Sequence, residues 1–248
     1  MTVAREFWQV YTVDNIVDMR GCSGAQSGAG SCNNQNGLKQ CGVINFGGMT
    51  ADSTAEGNIQ YDASGILITP AYSIEHAPHF TATQRFAYFV DVRSNTLSGE
   101  ADYASTCSWA GVSLWHGAAS GPPDNMPPSP VVLGYGVSVA KNSISHADGI
   151  RGGAVVFADT WWEPEGSRMY VNTLIYQNEI SNLLAPAAPT IQSANSCSGS
   201  FMCGDDPVRE VGVHIRLPLV HSTVISDNTF SDVPRPLVDN GTRTVHVR

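Results

Sequence analysis

One short pattern recurs along the chain and constrains its fold more than any other feature: apolar, x, apolar, two variable residues, Asn, x, apolar. It reads VYTVDNIV at Val10–Val17, VDVRSNTL at Val90–Leu97 and VSVAKNSI at Val137–Ile144, then TLIYQNEI at Thr173–Ile180 and TVISDNTF at Thr223–Phe230. Alternation with a period of two puts every second side chain inward, as in a β-strand. The asparagine is expected where the backbone turns through a left-handed conformation, which that residue tolerates. Short strands that repeat in this way predict a coiled, stacked sheet.

A second strand type opens with glycine: GVINF at Gly42–Phe46, GILIT at Gly65–Thr69, GVSLW at Gly111–Trp115, GAVVF at Gly153–Phe157 and GVHIR at Gly212–Arg216. Each Asn strand is followed by a Gly strand, although no Asn strand is evident in the turn that contains Gly65. Between them lie insertions of uneven length, at Arg20–Gln40, Gly99–Ser108, Gly117–Pro130, Asp159–Arg168 and Leu183–Val208. They are rich in Gly, Pro, Ser and Asn, as surface loops are, and inserted loops of this kind are where binding or catalysis concentrates. No helical periodicity and no linker interrupts the series, so residues 1–248 are expected to form a single domain.

Charged residues make up only 14% of the chain, which suits a secreted β-protein better than a helical one. A net charge of −9, with Lys39 and Lys141 as the only lysines, argues against nucleic acid and anionic membranes as partners. The six cysteines contain no Cys-x-x-Cys pair, which disfavours structural zinc. Cys22, Cys32, Cys41, Cys107, Cys197 and Cys203 are instead expected to form disulfides in an exported protein, with Cys197–Cys203 the clearest pair. No signal peptide precedes the first strand, and no apolar stretch is long enough to span a bilayer. The final residues, TRTVHVR, read as part of a strand, so the chain is read as a segment of a longer protein that is secreted or displayed at the cell surface.

This succession of Asn and Gly strands resembles the right-handed parallel β-helix of the pectate-lyase-like superfamily, from about Val10 to Arg248. The resemblance implies an all-β solenoid of roughly six or seven turns with long loop insertions. Stacked asparagines would hydrogen-bond along the coil through Asn15, Asn95, Asn142, Asn178 and Asn228. Val92, Val139, Ile175 and Ile225 would fill the core. Tyr11 and Val13, Asp91 and Arg93, Ser138 and Ala140, Leu174 and Tyr176, and Val224 and Ser226 would face outward.

The resemblance also implies a polysaccharide bound along an outer face by acidic and basic residues of adjacent turns. Asp91 and Arg93 are candidates there, with Tyr176 as a contact; a solvated ion pair is the simpler reading. The segment His146–Gly166 is the densest in chemistry. His146, Arg151, Asp159 and Glu163 could act as acid, base or nucleophile in glycoside cleavage, and Trp161 and Trp162 could stack on a sugar ring. Trp115 and His116 would line the same groove if their corner stacks on that of Asp159, and His116, Arg93 or Arg151 could abstract a proton next to a uronate carboxylate.

Metal signals are weak. Glu75, His76 and His79 lack a fourth ligand and Pro78 breaks the presentation, so no metal site is assigned. Asp205-Asp206 could take calcium or simply end a hairpin. That pair resembles the paired aspartates of polygalacturonase-like hydrolases, but their other motifs, and the Arg-x-Pro-x-x-Arg of pectate lyases, are missing. The expectation is therefore an extracellular carbohydrate-active protein, a polysaccharide lyase or glycoside hydrolase. The alternative is a non-catalytic module of an adhesin, spike or surface protein.

Overall fold

The structure is a computed structural model that describes residues 2–18, 20, 44–63, 65–69, 86–99, 111–115, 131–147, 154–159, 168–183, 211–215 and 220–247. Side chains are described for these except at 2–8, 47–49, 69, 115, 131–133, 156–159 and 168–169. All regular structure among these residues is β, and the strands form two sheets, one of sixteen strands that curls strongly and one of six. Every pairing is parallel, and each strand pairs with its equivalent in the next repeat: Ser138 aligns with Asp91 on one side and Leu174 on the other.

The repeat is built from three-residue strands separated by two-residue corners. Measured from each asparagine, a left-handed residue stands six places before, one place before and four places after. The first set is Gln9, Asp52, Phe89, Gly136, Asn172 and Ser222; the second is Asp14, Gly57, Ser94, Lys141, Gln177 and Asp227; the third includes Asp62, His146, Asn182 and Asp232. The asparagine is therefore not itself the left-handed residue. It follows that residue and marks the corner between the two sheets, so the last apolar position of the pattern lies on a separate strand, such as Thr96–Ser98 or Ser143–Ser145, in the six-stranded sheet.

Asparagine is needed at this corner because its amide reaches both neighbouring repeats. The backbone N–H and Nδ2 of Asn95 donate to Oδ1 of Asn142 at 3.0 and 2.9 Å, and Asn142 donates in the same way to Asn178 at 3.0 and 3.0 Å. Each Nδ2 also donates back to a carbonyl of the preceding repeat, as from Asn142 to Val92 at 2.9 Å. The ladder runs Asn15, Asn58, Asn95, Asn142, Asn178, Asn228. Asn58 supplies the strand that could not be recognised in the turn containing Gly65.

Three inward columns fill the interior. Five residues before the asparagine come Ser53, Val90, Val137, Thr173 and Thr223; three before come Thr12, Ala55, Val92, Val139, Ile175 and Ile225; two after come Gln60, Leu97, Ile144 and Ile180, all buried. The repeat of Asn58 escaped notice because all three of its inward positions, Ser53, Ala55 and Gln60, are small or polar, where the next two repeats hold Val90, Val92 and Leu97, then Val137, Val139 and Ile144. The expected outward residues do point outward, with one exception. Ala140 is buried because its register partners on the two sides are the larger Arg93 and Tyr176.

The glycine series needs a correction. Ile44, Ile66, Val112, Val155 and Val213 are in register, so the glycine column is Gly65, Gly111 and Gly212 with Ala154 between. Ala154 stands where a glycine was expected, and Gly42 and Gly153 lie outside the described residues. At Gly65 the requirement is steric as well as conformational. Its φ is +76°, and a Cβ there would sit 2.1 Å from the Gly111 carbonyl oxygen.

Candidate functional site

The outer face of the Asn strands carries two rows of side chains that run across the repeats. One row is Tyr11, Thr54, Asp91, Ser138, Leu174, Val224 and Val245; the other is Val13, Glu56, Arg93, Ala140, Tyr176, Ser226 and Val247. Neighbouring members of a row are about 4.8 Å apart, the spacing of paired strands. Asp91 and Arg93 meet here as expected, and the fold adds a third member. Arg93 reaches Glu56 of the preceding repeat at 2.9 Å and Asp91 at 3.1 Å. Both carboxylates raise the affinity of the guanidinium for its proton, Glu56 foremost, with a smaller contribution from Tyr176 two rungs on. A guanidinium so held keeps its proton. All three side chains are partly exposed, so the pairs add little stability.

At the leading edge of the same face lies an aromatic cluster. Phe86 and Tyr88 stack with centroids 4.5 Å apart. Tyr88 meets Tyr135 of the next repeat edge-on at 6.4 Å, and Phe89 meets Tyr135 edge-on at 5.6 Å. The Tyr135 hydroxyl accepts a hydrogen bond from Asn172 Nδ2 at 3.0 Å. Burial by its neighbours pushes the Tyr88 phenol pKa up, whereas Phe89 is 54% exposed and Tyr135 38%. None of these residues stood out in the sequence. Aligning the repeats on their asparagines would have exposed Phe89, because five of the six corner positions hold Gln, Asp, Gly, Asn or Ser and this one holds a large ring.

The other candidates divide. Trp115 ends the strand Val112–Trp115 and Asp159 ends Val155–Asp159, and the two are register partners on adjacent repeats. The two strand ends therefore lie side by side, and the corners that follow them lie outside the described residues. His116, Arg151, Trp161, Trp162 and Glu163 lie outside the described residues. So do Cys22, Cys32, Cys41, Cys107, Cys197 and Cys203, and Glu75, His76, His79, Asp205 and Asp206. His146 occupies the third corner with φ +53°, half-buried, its Nδ1 buried without a partner. The strand Ser143–Ser145 and the Lys141 corner separate it from the face of Arg93. Tyr176 joins the Arg93 row, two rungs along. Among the described residues no group of three or more His, Cys, Asp or Glu stands close enough to hold a metal ion, and no helix is long and apolar enough to cross a membrane.

A scan against protein-family models found none that matches this chain, and searches of curated proteins and of solved structures found no match. Fold and function are therefore argued from the chain's own geometry.

Proposed function

We propose that the chain is a right-handed parallel β-helix of an exported protein that binds a glycan along its outer face. The all-parallel pairing of equivalent strands, with asparagines 43, 37, 47, 36 and 50 residues apart along one ladder, supports the coil. The observation that carries the binding reading is the pair of outward rows. They set Glu56, Asp91 and Arg93 beside Ser138 and Tyr176 on one surface, so hydroxyl-rich rings lying across the strands would meet charged donors and acceptors on two rungs, a hydroxyl on the next and an aromatic face at Tyr176.

Carbohydrate cleavage, as a polysaccharide lyase or glycoside hydrolase, would draw on the paired strand ends of Trp115 and Asp159, with His116, Glu163, His146 and Arg151 as further candidates. The Glu56–Arg93–Asp91 group, whose one guanidinium is already shared by both carboxylates, favours a second reading, a non-catalytic glycan-binding module of an adhesin, spike or surface protein. One screen separates them. The purified protein is incubated with neutral and uronic-acid polysaccharides, with and without calcium, following unsaturated products and reducing ends, and binding is measured in parallel. Unsaturated products identify a lyase, reducing ends alone a hydrolase, and retention without products the binding module. No retention and no product would sink the glycan reading.

A further inference from the structure

The geometry points to the cluster of Phe86, Tyr88, Phe89 and Tyr135 as a stacking subsite for the ring of a neutral hexose unit of a glycan. This rests on the outer-face reading above and narrows it to a place and a ligand class.

Phe89 is the reason. It is unfavourable twice over for stability: its backbone is left-handed at φ +54°, a conformation disfavoured for L-residues, and the residue is more than half exposed. A large non-glycine residue in that conformation is a signal of function when the surrounding structure holds it there. Here it does. The Phe89 ring lies over Gly136 of the next repeat, where a Cβ would come within 2.9 Å of its Cδ1. Tyr135 braces it edge-on, and the Asn172 amide fixes the Tyr135 hydroxyl. The exposed ring faces are thus ordered before any ligand arrives, which lowers the entropic cost of stacking.

Position and charge identify the occupant. The cluster stands at the left-handed corner that leads into the face of Asp91 and Arg93, which lie two and four residues beyond Phe89 on the same strand, Ala87–Arg93. The Tyr135 hydroxyl and the Asn172 amide flank it as groups able to meet sugar hydroxyls. Among the described residues, Asp52 stands exposed at the corner one rung before Phe89, Asp91 lies on the other side, and the arginine nearby, Arg93, is already shared by Glu56 and Asp91. With a net charge of −9 on the chain, this surrounding repels a uronate and leaves a neutral ring favoured.

The test is affinity electrophoresis of the full chain in gels containing hydroxyethylcellulose or glucomannan (neutral) or polygalacturonate (anionic), alongside thermal unfolding. The wild type is expected to be retarded by a neutral glycan and not by polygalacturonate. Phe89→Gly removes the ring and relieves the backbone, so it should unfold at the same or a higher temperature while binding about threefold to tenfold more weakly. Tyr135→Ala should weaken binding in the same direction. Neutral-glycan binding undiminished in Phe89→Gly, or stronger retardation of the wild type by polygalacturonate, overturns the subsite while leaving a glycan-binding face. Wild type retarded by no glycan overturns both. A dimer that disperses in Phe89→Gly, with no glycan retardation, would assign the patch to a second copy of the chain and also overturn the subsite.

Discussion

Replacing Asn142 by leucine is the sharpest test of how the repeats are held together. The side chain takes part in four hydrogen bonds: Oδ1 accepts from Asn95 N–H and Nδ2, and Nδ2 donates to Asn178 Oδ1 and to the Val92 carbonyl. Leucine has nearly the same shape and none of these groups. The Asn95 N–H, buried at the corner, loses its acceptor, while Asn95 Nδ2 keeps the Ala55 carbonyl at 2.9 Å. At about 1 kcal/mol net per bond, and with the cost of an orphaned buried amide set against leucine's greater apolarity, the loss is about 3–6 kcal/mol. That is a large share of the 5–15 kcal/mol typical of a domain, and it should lower the unfolding midpoint on the order of 10 °C. Asn15→Leu is the internal control. Asn15 ends the ladder exposed, and its side chain makes only two bonds, to Asn58 Oδ1 at 2.8 Å and the Val13 carbonyl at 3.2 Å. It should cost about 1 kcal/mol or less. Thermal and urea unfolding, followed by far-ultraviolet circular dichroism, read both variants. Equal midpoints for wild type, Asn142→Leu and Asn15→Leu would refute the claim that the ladder holds the stack.

Further predictions concern single sites. Gln60 is fully buried in an inward column, and both Oε1 and Nε2 lack partners; Gln60→Leu should therefore raise stability by about 1–2 kcal/mol, and a lowered midpoint would reveal an unseen partner in the core. Gly65→Ala drives a Cβ into the Gly111 backbone at φ +76° and should cost about 3 kcal/mol or more, whereas at Gly57 the nearest obstacle is the movable Asp14 carboxylate, and Gly57→Ala should cost about 1 kcal/mol. Comparable losses at the two glycines would contradict the close approach at Gly65. The Asp18 carboxyl is held down to about pKa 2, first by its side-chain hydrogen bond from Arg20. Because the folded pKa lies below the ordinary carboxyl value of 3.8, this stabilisation is present above about pH 4 and lost as pH falls through about 2. Asp18→Asn should flatten that part of the acid-unfolding profile, and an unchanged slope would show that the pair does not form in solution.

Much of the architecture could be read directly from periodicity. The alternation around Val92, Val139, Ile175 and Ile225 told which side chains turn inward, because a strand has only two faces and these positions are apolar in one repeat after another. The asparagines marked the corner, although the left-handed residue proved to be the one before each. Where an inward position was polar or small, as at Ser53, Ala55 and Gln60, the same signal vanished and the Asn58 repeat went unseen. The glycine pattern gave way at Ala154, which precedes Val155 in the register, because a lone glycine before a short apolar run does not specify register.

The candidate site was legible only in part. Asp91 and Arg93 could be placed on one face from their spacing of two, but Glu56, which completes their group, is 37 residues away from Arg93. The same holds for the aromatic cluster. Phe86, Tyr88 and Phe89 are neighbours in sequence, yet Tyr135 joins them only through the pairing of adjacent repeats. Sequence by itself determined what each strand does with its own residues: which point in, which point out, and where the chain turns. Tertiary structure alone decided what lies beside what across repeats, because the insertions between asparagines vary in length while the strand pairing does not, and every group on the outer face is made from residues that only this pairing brings together.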